Sequence, residues 1–203
     1  YVLSQRTVLG DPAFVSKMDA YHDHMVDDAT AIEIRSKSSD DHTLPVDEYN
    51  PDRLEVLSTP GASHLVVSDN QGMVVSMTII VNTEFAPQVL VPKTGVILNN
   101  EMNDFSIPGT TNAFGFKPSP NNFIRSGIRP LSSKSPDIEL CLVLGGQEGS
   151  RIISAMTQVL WYILDRGMNC SSGLNTPRLH DPLQPNQVMF SWTYDNSTVE
   201  VVA

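Results

Sequence analysis

Four groups of residues have the types and spacing for small-molecule chemistry. Ser132 and Ser133 place two adjacent hydroxyls behind Arg129-Pro130-Leu131. Such a pair can hold a small carboxylate or amine, and it is equally common as loop filler. Glu101 and Asp104 stand at i and i+3, with Asn82 upstream. Two carboxylates at that spacing can converge on one amino group; turn capping and solvated acids are the competing reading. Gly145-Gly146-Gln147-Glu148-Gly149 precedes an apolar-periodic run. Main-chain amides at such a turn can stabilise an oxyanion, or the turn is only a tight connection. The last group is Thr59-Pro60-Gly61-Ala62-Ser63-His64, a Pro-Gly turn that opens directly into the β-branched run of Val66 and Val67.

Strands and helices must position these groups. A strand over 63–69 and a second over 72–81 are expected. The second is apolar almost throughout, so it is expected to run through the middle of a core. A third segment covers Val96, Ile97 and Leu98, one strand is expected over 137–145, and a last one over 188–194. Residues 107–136 are rich in Pro, Gly, Ser and Asn and lack periodicity, as in a long surface excursion. A helix is expected from Ser150, burying Ile152, Ile153, Met156, Val159, Leu160, Ile163 and Leu164, and ending at Gly167. Residues 1–44 read as helical. Asp11-Pro12 is a helix start signal, and a second helix runs from Asp27 or Asp28 to Lys37. Asp19, Asp23, Asp27, Asp28, His22 and His24 invite a metal reading, but the expectation is a solvated acidic face. Strands, then helix, then strand indicate a layered α+β domain. A turn leading into a buried strand is how N-terminal-nucleophile hydrolases present a Thr, Ser or Cys freed by self-cleavage.

The stretch around Ala62 resembles the γ-glutamyltranspeptidase (glutathione hydrolase) family, its fungal forms in particular. The family pattern there is Gly-Thr-Ser/Thr-His followed by two strands. Four downstream blocks fit in order: Gly95 through Asn99-Asn100-Glu101-Met102-Asn103-Asp104-Phe105-Ser106, then Arg129-Pro130-Leu131-Ser132-Ser133, Gly149-Ser150-Arg151-Ile152-Ile153, and Pro177-Arg178-Leu179-His180. The resemblance implies an αββα N-terminal-nucleophile fold, truncated here. Residues 1–61 would be the end of a large subunit leading to the cleavage point, and 62–203 a small-subunit core. It implies that Ser132 and Ser133 hold the α-carboxylate of a γ-glutamyl group, that Asn82, Glu101 and Asp104 hold its amine, and that Glu148 and Gly149 stand at the oxyanion position. Glutathione or another γ-glutamyl compound is the implied ligand, a large-subunit-like chain the implied partner, and no cofactor or metal is implied.

Three residues depart from the pattern at the reacting centre. The nucleophile position falls on Ala62, which has no hydroxyl for self-cleavage or catalysis. The strand keeps Thr78 and Asn82 of Thr-x-Thr-x-Asn but has Ile80 where the second Thr supports the nucleophile. Glu148 replaces a glycine and brings a charge of the wrong sign. Ser63 is the obvious substitute nucleophile, but a one-residue shift along a strand turns it to the other face. Together the departures favour a degenerate homologue over an engineered knock-out. The expected protein is unprocessed and inactive; the alternative is a non-catalytic homologue that binds γ-glutamyl compounds or pairs with a catalytic partner.

At 203 residues the chain is long enough for one sizeable domain. A net charge of −10 argues against nucleic acid as a partner, and no apolar run approaches the ~20 residues of a membrane span. The two cysteines, Cys141 and Cys170, lack metal-site spacing, and Cys141 is expected in the core. Sequons at Asn169 and Asn196 permit glycosylation. With the family resemblance they suggest a secreted, vacuolar or cell-surface location. The chain begins at Tyr1 and is expected to be a piece of a longer product.

Overall fold

The computed structural model describes residues 1–57, 61–139, 142–197 and 199. The chain divides into two compact units. The first gathers Tyr1–Leu57, Met102–Leu131 and Leu183–Asn186; the second gathers Ser58–Glu101, Ser132–Pro182 and Gln187–Ala203.

The first unit contains α1 (Val2–Arg6), α2 (Met18–Val26), α3 (Asp28–Lys37) and α4 (Val46–Tyr49). Asp27 caps α3 through its carboxylate, which accepts the Ala29 amide at 3.0 Å, as its position ahead of the helix predicts. Asp11 does not start a helix. The chain turns there, and α2 begins only at Met18, behind a left-handed Lys17. The Asp11 carboxylate accepts the Ala13 amide at 3.1 Å, closing a local turn, and is also held by Arg129, whose main-chain N, Nε and Nη2 donate to it at 3.0, 2.9 and 2.7 Å. The buried carboxylate is thus paired with a fixed cation as well as a local amide. Asp19, Asp23, Asp27 and Asp28 are all exposed.

Few apolar side chains hold this unit. Met18, Phe105, Phe116 and Leu183 are buried, but so are Ser4, Thr7, Asn50, Asn122 and Gln184. Main-chain groups of the long excursion find side-chain partners because no ladder serves them. Gln184 accepts from the Val56 amide at 3.0 Å and from Asn112 Nδ2 at 2.9 Å, and donates to Leu54 O at 2.8 Å. Ser119 Oγ donates to Thr7 O at 2.7 Å.

The second unit carries the strands. β1 (Ala62–Ser68) and β2 (Val74–Ile80) pair antiparallel in the register Ala62↔Ile80, His64↔Thr78 and Val66↔Ser76. Asp69 closes the turn between them, its carboxylate accepting the Gln71 and Met73 amides at 2.9 and 2.8 Å. Short hairpins follow: β3 (Leu90–Val91) with β4 (Val96–Ile97), and β5 (Asp137–Glu139) with β6 (Leu142–Leu144). α5 (Arg151–Leu160) comes next, then α6 (Cys170–Asn175), and β7 (Leu179–His180) pairs with β8 (Met189–Phe190).

Several expectations need correcting. Leu164, expected on the buried side of the helix, is exposed, and the strand expected over 188–194 is only Met189–Phe190. β2 is not buried on both faces: Val75, Met77 and Ile79 are exposed while Val74, Ser76, Thr78 and Ile80 turn inward. An apolar run does not by itself say how many faces are covered. The expected strand over 137–145 is a hairpin, with Asp137 opposite Leu144 and Glu139 opposite Leu142. Cys141, expected in the core, lies outside the described residues.

The core of this unit is one cluster: Ala62, Leu144, Ile152, Met156 and Val159, with Ile80, Leu142, Leu160 and Ile163 packed against it. Ile152, Met156 and Val159 recur at i, i+4 and i+7, which places one stripe of α5 against β1 and β6. The helix runs on through a wider π turn, Trp161–Asp165, and is followed by a left-handed Gly167.

Candidate active site

Ala62 opens β1 and is buried in that apolar cluster. The Val81 amide donates to Gly61 O at 3.2 Å. That bond makes 61 and 81 a hydrogen-bonded pair, so 62 and 80 form the adjacent non-bonded pair, in which side chains stand closest. Ala62 therefore faces Ile80 directly, among apolar side chains. Ser63 is exposed on the opposite face, beside Ile79.

Thr78 lies one step further along the same face, and its hydroxyl is engaged. Its Oγ1 is 2.9 Å from His64 Nδ1. His64 Nε2 is 3.4 Å from Ser76 Oγ, which donates to Leu144 O at 3.1 Å. The His64 ring lies against Gly145, where an added Cβ would stand only 1.9–2.1 Å from ring atoms. The glycine-rich turn thus serves packing here: only a residue without a side chain admits the imidazole. The hairpin register alone would have paired His64 with Thr78.

Glu148 and Gly149 end that turn with positive φ, 80° and 45°. Glu148 is exposed, and Arg151 Nη1 donates to its carboxylate at 3.2 Å. The carboxylate therefore points along α5, toward its cation. A left-handed residue with a Cβ is strained, which is the physical reason a glycine suits position 148. A cavity of about 680 Å³ opens beside this turn, lined in part by His64, Glu148, Arg151, Arg178 and His180. His180 is buried, with Nδ1 2.8 Å from Ser154 Oγ. Burial, with the Arg151 cation nearby, lowers its pKa below the ordinary histidine value, against the opposing pull of Asp181.

The substrate-binding candidates sit on irregular backbone. Asn82 is fully buried at φ 79°. An added Cβ at Gly61 would stand 2.4 Å from Asn82 O, so the residue before position 62 rests on this loop. Glu101 and Asp104 are the ends of one 3-10 turn, Glu101–Asp104, where i and i+3 eclipse. Glu101 Oε2 is buried and has no hydrogen-bond partner among the described residues. Asp104 is buried near Arg6, and its charge partly offsets the burial that lowers the Arg6 pKa to about 10. Its main-chain O accepts from Asn122 Nδ2 at 2.6 Å, and Asn122 Oδ1 accepts the Leu131 amide at 3.0 Å. Ser132 follows Leu131; it is exposed, and its hydroxyl accepts the Lys134 amide at 3.2 Å. Ser133 is half-buried. Sequence alone did not point to Arg6, Asn100 or Asn122; polar residues of a loop show their role only once their main-chain partners are known.

The γ-glutamyltranspeptidase family model matches residues 1–202. The chain belongs to that family. It is 46% identical, over 97% of its length, to a glutathione hydrolase proenzyme of Arthroderma benhamiae, and 39% identical, over its whole length, to a glutathione hydrolase of Aspergillus flavus. It spans 35% and 36% of those proteins, about a third of each. A short Arabidopsis thaliana relative, named as a candidate inactive glutathione hydrolase, is 36% identical over 90% of this chain and 98% of its own length. Among solved structures, a threonine-to-alanine mutant of the Helicobacter pylori γ-glutamyltranspeptidase matches with a TM-score of 0.59 and 34% identity, over 68% of this chain and 78% of that one. The Pseudomonas nitroreducens γ-glutamyltranspeptidase complexed with L-DON matches at 0.59 and 35%, over 68% and 77%. The chain therefore has the α+β N-terminal-nucleophile hydrolase fold. Among its described residues no helix is long and apolar enough to cross a membrane, and no three His, Cys, Asp or Glu side chains gather as a metal site.

Proposed function

We propose that this γ-glutamyltranspeptidase-family protein binds the γ-glutamyl group of glutathione or a related compound, but neither cleaves itself nor turns that compound over. The observation that carries the loss of chemistry is Ala62, buried among Leu144, Ile152, Met156 and Val159 and facing Ile80. The Ala62 side chain cannot attack a carbonyl, and Ile80 opposite it has no hydroxyl to support one. Retained binding is supported by the unpartnered buried oxygen of Glu101. Such an atom is costly unless a donor meets it, and an α-ammonium is a fitting donor. In this reading Asn82, Glu101 and Asp104 hold the amine and Ser132 and Ser133 the α-carboxylate. Thr78, Glu148 and Gly149 occupy catalytic positions that no longer act. Residues 1–61 correspond to the end of a large subunit and 62–203 to a small-subunit core, with a large-subunit-like chain as partner.

A second reading is glutathione hydrolase or γ-glutamyltransferase activity in a form carrying Thr at position 62, or through Ser63. The 46% identity to the Arthroderma proenzyme favours it; Ile80, Glu148 and the outward Ser63 count against it. Intact-mass spectrometry and a γ-glutamyl anilide assay decide between the two. One species near 22.3 kDa without turnover is expected. Two fragments split at Gly61–Ala62, or anilide turnover, would overturn the first reading, and a split at Ala62–Ser63 would make Ser63 the nucleophile.

A further inference from the structure

Asn100 grips the chain on both sides of Asn82. Its main-chain N donates to Val81 O at 3.2 Å. Its Oδ1 accepts the Thr83 amide at 3.2 Å, and its Nδ2 donates to Thr83 Oγ1 at 2.8 Å. Thr83 Oγ1 in turn donates to Ala86 O at 3.2 Å. These partners also fix the amide's orientation, because a main-chain N–H can meet only the oxygen. Between the two gripped residues, Asn82 is held at φ 79°. That left-handed conformation is uncommon for a residue with a side chain, although asparagine adopts it more readily than most. The same Asn100 is bonded covalently to Glu101, whose Oε2 is buried without a partner among the described residues.

We infer that Asn100 is a positioning residue: it holds Asn82 and Glu101 together as one amine-binding pair and selects ligands that carry an α-ammonium. The inference rests on the γ-glutamyl reading of the site. Asn100 touches no ligand. It acts by fixing the loop that presents Asn82 against the residue that carries Glu101. Gly61 rests on the Asn82 and Thr83 carbonyls, leaving 2.4 and 2.8 Å for an added Cβ. The grip therefore also fixes the main chain ahead of position 62.

The test compares L-glutamate with glutarate, which lacks only the α-amine, by NMR titration of the intact protein and of Asn100→Ala. Wild-type protein is expected to prefer glutamate. Asn100→Ala should weaken glutamate binding about tenfold, equivalent to about 1.4 kcal/mol, and leave glutarate binding unchanged, so the preference collapses. A purely structural role would weaken both ligands equally and keep their ratio, and that result overturns the inference. Thr83→Val, which removes only the hydroxyl, is measured in parallel and should lower the ratio about threefold; if Asn100→Ala does not fold, an unchanged ratio in Thr83→Val overturns the inference by itself. Wild-type protein without any preference for glutamate would overturn the γ-glutamyl reading and this inference together. A wild-type preference that survives in the variants would overturn this inference alone.

Discussion

A hydroxyl placed at position 62 should destabilise the protein, and a second hydroxyl at position 80 should recover part of the loss. Ala62 is 8% exposed, among Leu144, Ile152, Met156 and Val159. Ala62→Thr forces a methyl and a hydroxyl into that cluster. An unpaired buried hydroxyl costs about 1–3 kcal/mol, and overpacking a similar amount. The substitution is thus expected to cost about 2–4 kcal/mol. Ile80→Thr alone loses apolar contact at a half-buried position and should cost about 1–2 kcal/mol. Positions 62 and 80 form a non-hydrogen-bonded cross-strand pair, in which Cα atoms lie about 4.5 Å apart. Two threonine hydroxyls there are within reach of each other. The double variant should therefore be more stable than the two separate losses imply, by about 1 kcal/mol. Urea unfolding of the four proteins, followed by far-UV circular dichroism at a common slope, measures the coupling. Intact mass is checked first, and Ala62→Thr alone is expected to stay whole. Losses that add to within about 0.3 kcal/mol would refute the cross-strand reasoning. An unchanged midpoint for Ala62→Thr would refute the apolar packing around position 62.

Further outcomes follow from the same geometry. Glu148→Gly relieves a left-handed residue and gives up only an exposed ion pair with Arg151; the melting temperature should rise by about 1–4 °C. Ala62→Thr, Ile80→Thr and Glu148→Gly combined, co-expressed with a family large-subunit segment, should recover some self-cleavage and anilide turnover where Ala62→Thr alone does not; full recovery by the single change would show that only the nucleophile was missing. Arg129 holds the Asp11 carboxyl well below the usual carboxylate range, through its side-chain and main-chain hydrogen bonds. That stabilisation is complete above the unfolded value of about 4 and is lost as pH falls below it. The stability gap between wild type and Asp11→Asn should accordingly shrink from about pH 4 downward, and a constant gap in acid unfolding curves would refute it. His180 has a lowered pKa, so below pH 6.5 the unfolded chain takes up a proton that the folded protein resists. Stability should fall as pH drops from about 7 to 5, and His180→Gln should flatten that part of the profile.

Local chemistry in the sequence determined much of this protein. The register of β1 and β2 follows from two β-prone runs around the turn at Asp69, and α5 from apolar residues at helical spacing. Asp27 caps α3 as its residue type requires. The five family blocks were legible because each is a short contiguous string. What lay beyond one string was not. The apolar run of β2 could not say that Val75, Met77 and Ile79 stay exposed, because periodicity records a face and not what covers it. Asp11 has the signature of a helix cap, yet a cation more than a hundred residues away claimed its carboxylate. Ala62 could be read as a missing nucleophile. Only the packed structure decided that its neighbours are apolar, with Ile80 opposite it. Asn122 is an unremarkable amide in the sequence, and Asn100 is one member of a family block with no role attached to it. Their role comes from main-chain groups that a long irregular excursion leaves without ladder partners, and which groups those are is decided only when the chain folds back on itself.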